Sequence, residues 1–362
     1  MIQNIQILRF AAALWVVMFH ALVPLVVPQA WQPALPAALE ALCRLGYAGV
    51  DLFFVISGAV IAQATRGVTP GLAAARRFIA VRLARIYLGW WPFFGLFIAA
   101  MAWWGWPLAE KRFIASFLLV PVADITRYVL VLLWTLTMEV YFYLVVGALL
   151  LLARPRMRQA MLAWAALVLV VVLVNVGTGR YALVHEQGLG IFRLFIASPF
   201  VLEFIAGFLL CEWLHARPRQ SLMPWALLAL VCGTAAAWTH FRGGLGFFGL
   251  ADIAHAPLRT LLFGGMAVGL AACAILARPA AGRMMLGLAR LGDASYALYL
   301  SHILTLTSLY LLVAAWAPAE GLRGALWALA LAAAVGLAAL HYRWIERPLY
   351  LGAKRRIENA LA

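Results

Sequence analysis

The sequence predicts an all-α polytopic membrane protein, a bundle of about ten transmembrane helices with both termini in the cytoplasm. Three observations carry that expectation. Of the 362 residues, 66% are hydrophobic and 11% charged, far from the balance of a soluble domain. Ten apolar stretches approach or exceed the roughly 20 residues needed to cross a hydrocarbon core. The basic residues between them are unevenly shared. With the N-terminus inside, the inner segments 66–85, 154–158, 217–219, 278–290 and 343–356 hold eighteen of the 28 lysines and arginines, against eight in the outer segments. Arg9 and Arg193 fall within spans. Excess basic charge marks the cytoplasmic side, and an even number of spans returns the C-terminus to it.

In chain order the spans are expected near 6–28, 47–65, 84–106, 128–153, 159–176, 191–214, 222–240, 258–277, 292–316 and 322–346. The first run is followed by "VPQA", which resembles a signal-peptide cleavage region. The run lacks a basic n-region and is too long for an h-region, so it is read as a span. The apolar run at 113–123 is short and contains Pro121, so it is read as interfacial or re-entrant. The stretches near 29–46, 66–83, 107–127 and 241–257 read as connections. Residues 1–347 form one transmembrane domain in this reading, and 348–362 a short basic cytoplasmic tail.

The formal charge of +15 does not point to nucleic acid, because the basic residues lie between apolar spans without an aromatic-interleaved patch. Cys43, Cys211, Cys232 and Cys273 are scattered, with neither metal-ligand spacing nor a disulfide framework. No metal is expected.

Ionisable groups inside spans are costly and usually face a bundle interior or an aqueous cavity. In "RFAAALWVVMFH", ten apolar residues separate Arg9 from His20. On a helix the two lie about 16 Å apart along the axis and about 20° apart around it, hence on one face at two depths. A cation for an anionic group and a proton acceptor would then share that face. A snorkelling arginine and a histidine bonded to a neighbouring helix satisfy the same spacing.

In "GYAGVDLFFVISGAVIA", Asp51 sits at a depth comparable to His20, where a carboxylate can hold an imidazole in one tautomer and stabilise its protonated form. Gly49, Ser57 and Gly58 are small enough for close helix approach. Packing accounts for the glycines but not for the aspartate. "AAARRFIAVRLARIY" is a basic amphipathic lead-in to the third span. Retention near anionic lipid explains a run of arginines, and Arg82 and Arg85, three apart on one face, also suit phosphate binding. In "WTLTMEVYFY", Glu139 lies near midmembrane, five residues from Trp134. In "GDASYALYLSH", Ser295, Tyr299 and His302 recur at helical spacing beside Tyr296.

Taken in order, these segments resemble the acyltransferase family 3 of integral-membrane acyltransferases, which includes bacterial O-antigen and exopolysaccharide acetyltransferases. Arg9 and His20 are similar to the family's R-x10-H motif, "GVDLFFVISGAVI" to its GVDLFFVLSGFLI segment and "RLARIY" to R-x-x-R-I-Y. "WTLTMEVYFYL" is similar to W-S-L-x-x-E-x-x-F-Y, and "SYALYLSH" to SYxLYLxH. Leu88, Ala59 and Thr135 depart from the common residues and leave the ionisable positions intact. The chain resembles the stand-alone form rather than relatives that carry an added SGNH-type domain.

The resemblance implies transfer of an acyl group, usually acetyl, from cytoplasmic acyl-coenzyme A to a sugar hydroxyl of an exported or lipid-linked glycan, at the bacterial inner membrane. It implies that Arg9, Arg82 and Arg85 hold the donor phosphates and that His20, oriented by Asp51, does the chemistry. Ser57, Trp134, Glu139, Tyr296, Tyr299 and His302 would line the cavity. Direct transfer with His20 as general base and a two-step route through an acyl-histidine both remain open. A transporter of a small anionic or acyl-bearing substrate is the reading from another class, since intramembrane charges also mark transport pathways.

Overall fold

The computed structural model describes residues 2–23, 26–27, 32–181, 190, 192–217, 219–246, 249–313 and 319–361. Among them there are helices, turns and irregular segments but no strand. In chain order the helices are α1 (Ile2–His20), α2 (Ala37–Arg44), α3 (Gly49–Ala64), α4 (Leu72–Trp104), α5 (Phe113–Leu118), α6 (Leu133–Leu149), α7 (Arg154–Gly177), α8 (Phe200–Ala216), α9 (Met223–Phe241), α10 (Ala256–Arg259), α11 (Gly265–Leu276), α12 (Arg283–Asp293), α13 (Ser295–Val313), α14 (Glu320–His341) and α15 (Arg347–Ala360). Among the described residues seven helical segments are long and apolar enough to cross a membrane, including Leu72–Trp104, Arg154–Gly177 and Ser295–Leu312. Leu133–Leu149 is apolar but shorter. The protein is a multi-pass membrane protein, all-helical among the described residues.

Several elements differ from their expected bounds for identifiable reasons. The first helix runs from Ile2 to His20 rather than over 6–28. The sequence carries Pro24 and Pro28 beyond it, and proline has no N–H to continue a helical ladder. Those prolines, the rest of "VPQA" after Val27, residues 314–316 and the Arg193 side chain lie outside the described residues. The third span and its basic lead-in form one 33-residue helix. It stops at Gly105, whose φ of 69° lets Trp106 N–H reach the Met101 carbonyl at 2.9 Å, a left-handed cap that glycine adopts without strain. The 113–123 run holds only the six-residue α5, which ends at Leu119 with φ 53°. Residues 348–360, read as a tail, are helical.

The chain divides into two compact units, one of residues 1–53 and 277–349, the other of residues 54–276 and 350–362. In the first, α1 packs on α12, on α13 and on the short Gly46–Ala48 turn. Lipid supplies little hydrophobic drive between helices, so close backbone approach and van der Waals packing hold them. A Cβ at Gly49 would lie 2.5 Å from the Ala12 carbonyl oxygen and 2.7 Å from Val16 Cγ2, so only glycine permits this approach of α3 to α1.

In the second unit α3 crosses α8 in the same manner, with Gly58 against the Phe204 backbone and Gly207 against that of Val55. Arg154 at the start of α7 ties the helices together at one end. Its Nη2 and Nε donate to Glu212 at 2.7 and 3.1 Å, and Nη1 donates to Thr65 Oγ1 at 2.9 Å. The guanidinium also lies 5.1 Å from the Phe208 ring centre. The last helix belongs to this unit through Arg77 Nη2 and Glu358 Oε1, 2.5 Å apart.

Candidate active site

His20 is the last residue of α1, and its ring meets that of His302 from α13 in the same unit. The ring centres are 4.9 Å apart, and His302 Nε2 lies 3.3 Å from His20 Nδ1. His302 is fully buried and His20 half-buried. Each Nδ1 also faces a backbone carbonyl one turn earlier, Val16 at 2.9 Å for His20 and Leu298 at 3.1 Å for His302.

A carbonyl can only accept, which fixes the tautomers. His302 Nδ1–H donates to Leu298, leaving its Nε2 with a lone pair. His20 Nδ1–H then serves Val16 and that lone pair together. The proton inventory leaves His20 Nε2 as the unprotonated nitrogen on the less buried ring. A histidine held this way offers the lone pair that a general base needs.

Asp51 is fully buried in the first turn of α3. The groups touching His20 Nδ1 are the Val16 carbonyl and His302. Tyr299 lines the same part of the unit, its ring centre 6.0 Å from that of His302 and 6.1 Å from that of Phe53. Ser295 is fully buried and Tyr296 half-buried on α13. Arg9, half-buried on α1, donates from Nη1 to Gln6 Oε1 at 3.4 Å, and Gln6 Nε2 donates to Asp293 Oδ1 at 2.5 Å.

In the other unit Arg82 lies over two rings, 5.7 Å from Phe78 and 5.6 Å from Tyr143. The Tyr143 hydroxyl donates to Glu139 one turn back on α6. Arg85 lies 5.6 Å from the Tyr350 ring of α15. A cation over a ring face is attracted by the ring's quadrupole. Trp134, at the start of α6, is buried against Phe54 and Phe200, with ring centres 5.8 and 5.3 Å away. Ser57 is half-buried on α3.

The family model described as an acyltransferase domain matches residues 2–343. The chain belongs to that acyltransferase family. It is 31% identical over 333 residues to the exopolysaccharide production protein ExoZ of Rhizobium meliloti strain 1021, an alignment covering 88% of this chain and 94% of the relative. No solved structure matches it.

The acyltransferase therefore brings His20 and His302 together in one unit and groups Arg82 with Tyr143 and Glu139 in the other. Sequence reasoning placed His302 only among cavity-lining groups. The signal that pairs it with His20 is tertiary, across 282 positions. Gln6, Asp293, Tyr143 and Tyr350 were not singled out. Gln6 and Tyr143 each sit one helical turn from a residue that was, Arg9 and Glu139, and so were within reach of the i, i+3 and i, i+4 rule.

Proposed function

We propose that this membrane acyltransferase moves an acyl group, most simply acetyl, from cytoplasmic acyl-coenzyme A to a sugar hydroxyl of an exopolysaccharide or other exported glycan, across a bacterial inner membrane. The observation carrying the chemistry is the His20–His302 contact, with both Nδ1 atoms committed as donors. His20 Nε2 takes the proton of the acceptor hydroxyl as its oxygen attacks the thioester carbonyl. The tetrahedral intermediate collapses by breaking the C–S bond. The imidazolium returns its proton to the leaving thiolate, giving an ester and free coenzyme A. General-base steps of this kind typically contribute about 10²–10⁴-fold. The direct route is preferred to an acyl-histidine because it asks only for the lone pair that the two Nδ1 contacts leave on His20 Nε2.

His302 orients the ring in this reading and accepts a hydrogen bond from the imidazolium as it forms. Asp51, buried in the same unit, is assigned to orienting His20, supported by the resemblance of the GVDLFFVISG segment. Arg9, Arg82 and Arg85 are assigned to donor phosphates, supported by the R-x10-H and R-x-x-R-I-Y resemblance and by the fit of guanidinium to phosphate. The glycan acceptor is supported by the likeness to the Rhizobium exopolysaccharide production protein. About ten spans with both termini cytoplasmic would bring the arginines and donor to one face and leave residues 348–362 on it.

The test uses acyl-labelled coenzyme A with inside-out membrane vesicles and the glycan of the parent strain. Label appearing on glycan hydroxyls, and lost with His20→Ala, is the expected result. Uptake of label without ester formation would identify a carrier instead.

A further inference from the structure

The unit that holds His20 also holds a cavity of about 550 Å³. Its polar walls are Arg290 and Asp293 from α12, and Tyr342, Arg343 and Arg347 from the far end of α14 and the start of α15. Residues 342–346 form a π-helical turn between those helices. Such turns widen the backbone and recur at functional sites. Four residues apart, Arg343 and Arg347 share one side of it.

The charge is unbalanced. Among the described residues no carboxylate forms an ion pair with Arg290, Arg343 or Arg347. Asp293 is the carboxylate on the wall, and its Oδ1 already accepts from Gln6 at 2.5 Å, the same Gln6 that accepts from Arg9. Three guanidiniums share this space with the one carboxylate of Asp293, so positive charge is in excess there and an anion relieves it. The guanidinium fork matches phosphate oxygens two at a time.

The surroundings suit a membrane boundary. Trp344, within the π-helical turn, is 72% exposed, and Met284 on the amphipathic α12 is 71% exposed. Exposed aromatic and apolar residues beside clustered arginines mark the depth at which lipid headgroups meet water.

We propose that this cavity binds phosphate oxyanions, carried either by the nucleotide part of coenzyme A or by the headgroup of an anionic phospholipid. If the ligand is coenzyme A, the site deepens the donor reading by adding Arg290, Arg343 and Arg347 to the arginines assigned to its phosphates. Binding is read without turnover, so failure of the transfer mechanism would leave this assignment standing.

The full chain is reconstituted in phosphatidylcholine nanodiscs as wild type, as Arg343→Gln/Arg347→Gln, as Arg290→Gln and as the control Arg355→Gln/Arg356→Gln. The control removes the same charge from α15 outside the cavity. One arm titrates coenzyme A. The other counts phosphatidylglycerol retained from mixed nanodiscs by native mass spectrometry. Each lost charge-assisted contact should weaken the true ligand about tenfold, so the double cavity variant falls about 100-fold while the control changes less than about threefold. Loss confined to coenzyme A names the donor as the source, and loss confined to phosphatidylglycerol names lipid. The variant Arg343→Lys/Arg347→Lys keeps the charge without the fork and should fall between wild type and the glutamine double variant. The proposal is overturned if wild type binds neither ligand, or if cavity and control variants bind both alike.

Discussion

His302 Nε2 lies 3.3 Å from His20 Nδ1, and the Leu298 carbonyl at 3.1 Å from the other nitrogen of His302 forces the first of these to be an acceptor. Two buried-side contacts thereby select which nitrogen of His20 carries a lone pair. His20→Ala should lower acyl transfer by at least about 10²-fold while leaving coenzyme A binding intact. His302→Phe keeps a ring in place but offers no acceptor, so it should lower kcat with little change in donor KM. Steady-state kinetics on both variants decide the matter. Transfer by His20→Ala at the parent rate would remove the histidine from the mechanism.

Gly49 tests whether the position of His20 depends on the α1–α3 approach. A Cβ there meets Ala12 and Val16, and the Val16 carbonyl holds the His20 ring at 2.9 Å. Gly49→Val should shift α1 and cost activity about tenfold or more even in protein that still folds, because a small misplacement of a catalytic group is expensive. Gly95→Val, where a Cβ meets nothing within 4 Å, should be nearly silent. Equal activity of the two variants would show that the approach does not set the geometry.

These two residues also show what the sequence could and could not reveal. The shared helix of Arg9 and His20 was legible because spacing within one helix is a local property. The place of Asp51 at the start of α3 was legible for the same reason. His302 was visible as a polar residue on an apolar helix, but its partner was not. The amphipathic α12 was hidden because its eleven residues are too few to span a membrane and lie in a basic connection. The π-helical turn at 342–346 leaves no mark in apolar periodicity.

The Arg154–Glu212 pair is a stability element rather than a catalytic one. Both side chains are largely covered, 30% and 14% exposed, and Thr65 and Phe208 complete the arginine's surroundings. Arg154→Met strands a carboxylate and should cost about 2–4 kcal/mol. Arg154→Met/Glu212→Leu should cost less than either single change, because no uncompensated charge remains. Denaturant unfolding in detergent micelles measures all three. Additive losses would mean that the pair is too well solvated to matter.

Orientation rests on the eighteen-to-eight division of basic residues. A reporter fused after Ala362 should read cytoplasmic, and one inserted between Glu110 and Lys111 should read external. If the C-terminal reporter reads outside, the proposed side for the donor phosphates is inverted.

The last prediction concerns Arg82, which lies over the Tyr143 ring while the Tyr143 hydroxyl serves Glu139. If the guanidinium is held for a donor phosphate, the aromatic shelf and the charge have separable effects. Arg82→Ala removes the charge and should weaken coenzyme A binding about tenfold, with a shallower dependence on salt. Arg82→Lys keeps the charge but loses the planar fork, and should recover only part of that affinity. Tyr143→Phe preserves the ring and so should leave donor binding near the parent value. It withdraws the hydroxyl from a half-buried Glu139, and its cost should appear in thermal stability instead. Titration of coenzyme A at two salt concentrations beside thermal unfolding of the same samples separates these effects. A parent-like affinity for Arg82→Ala at low salt would reduce the arginine to a marker of topology.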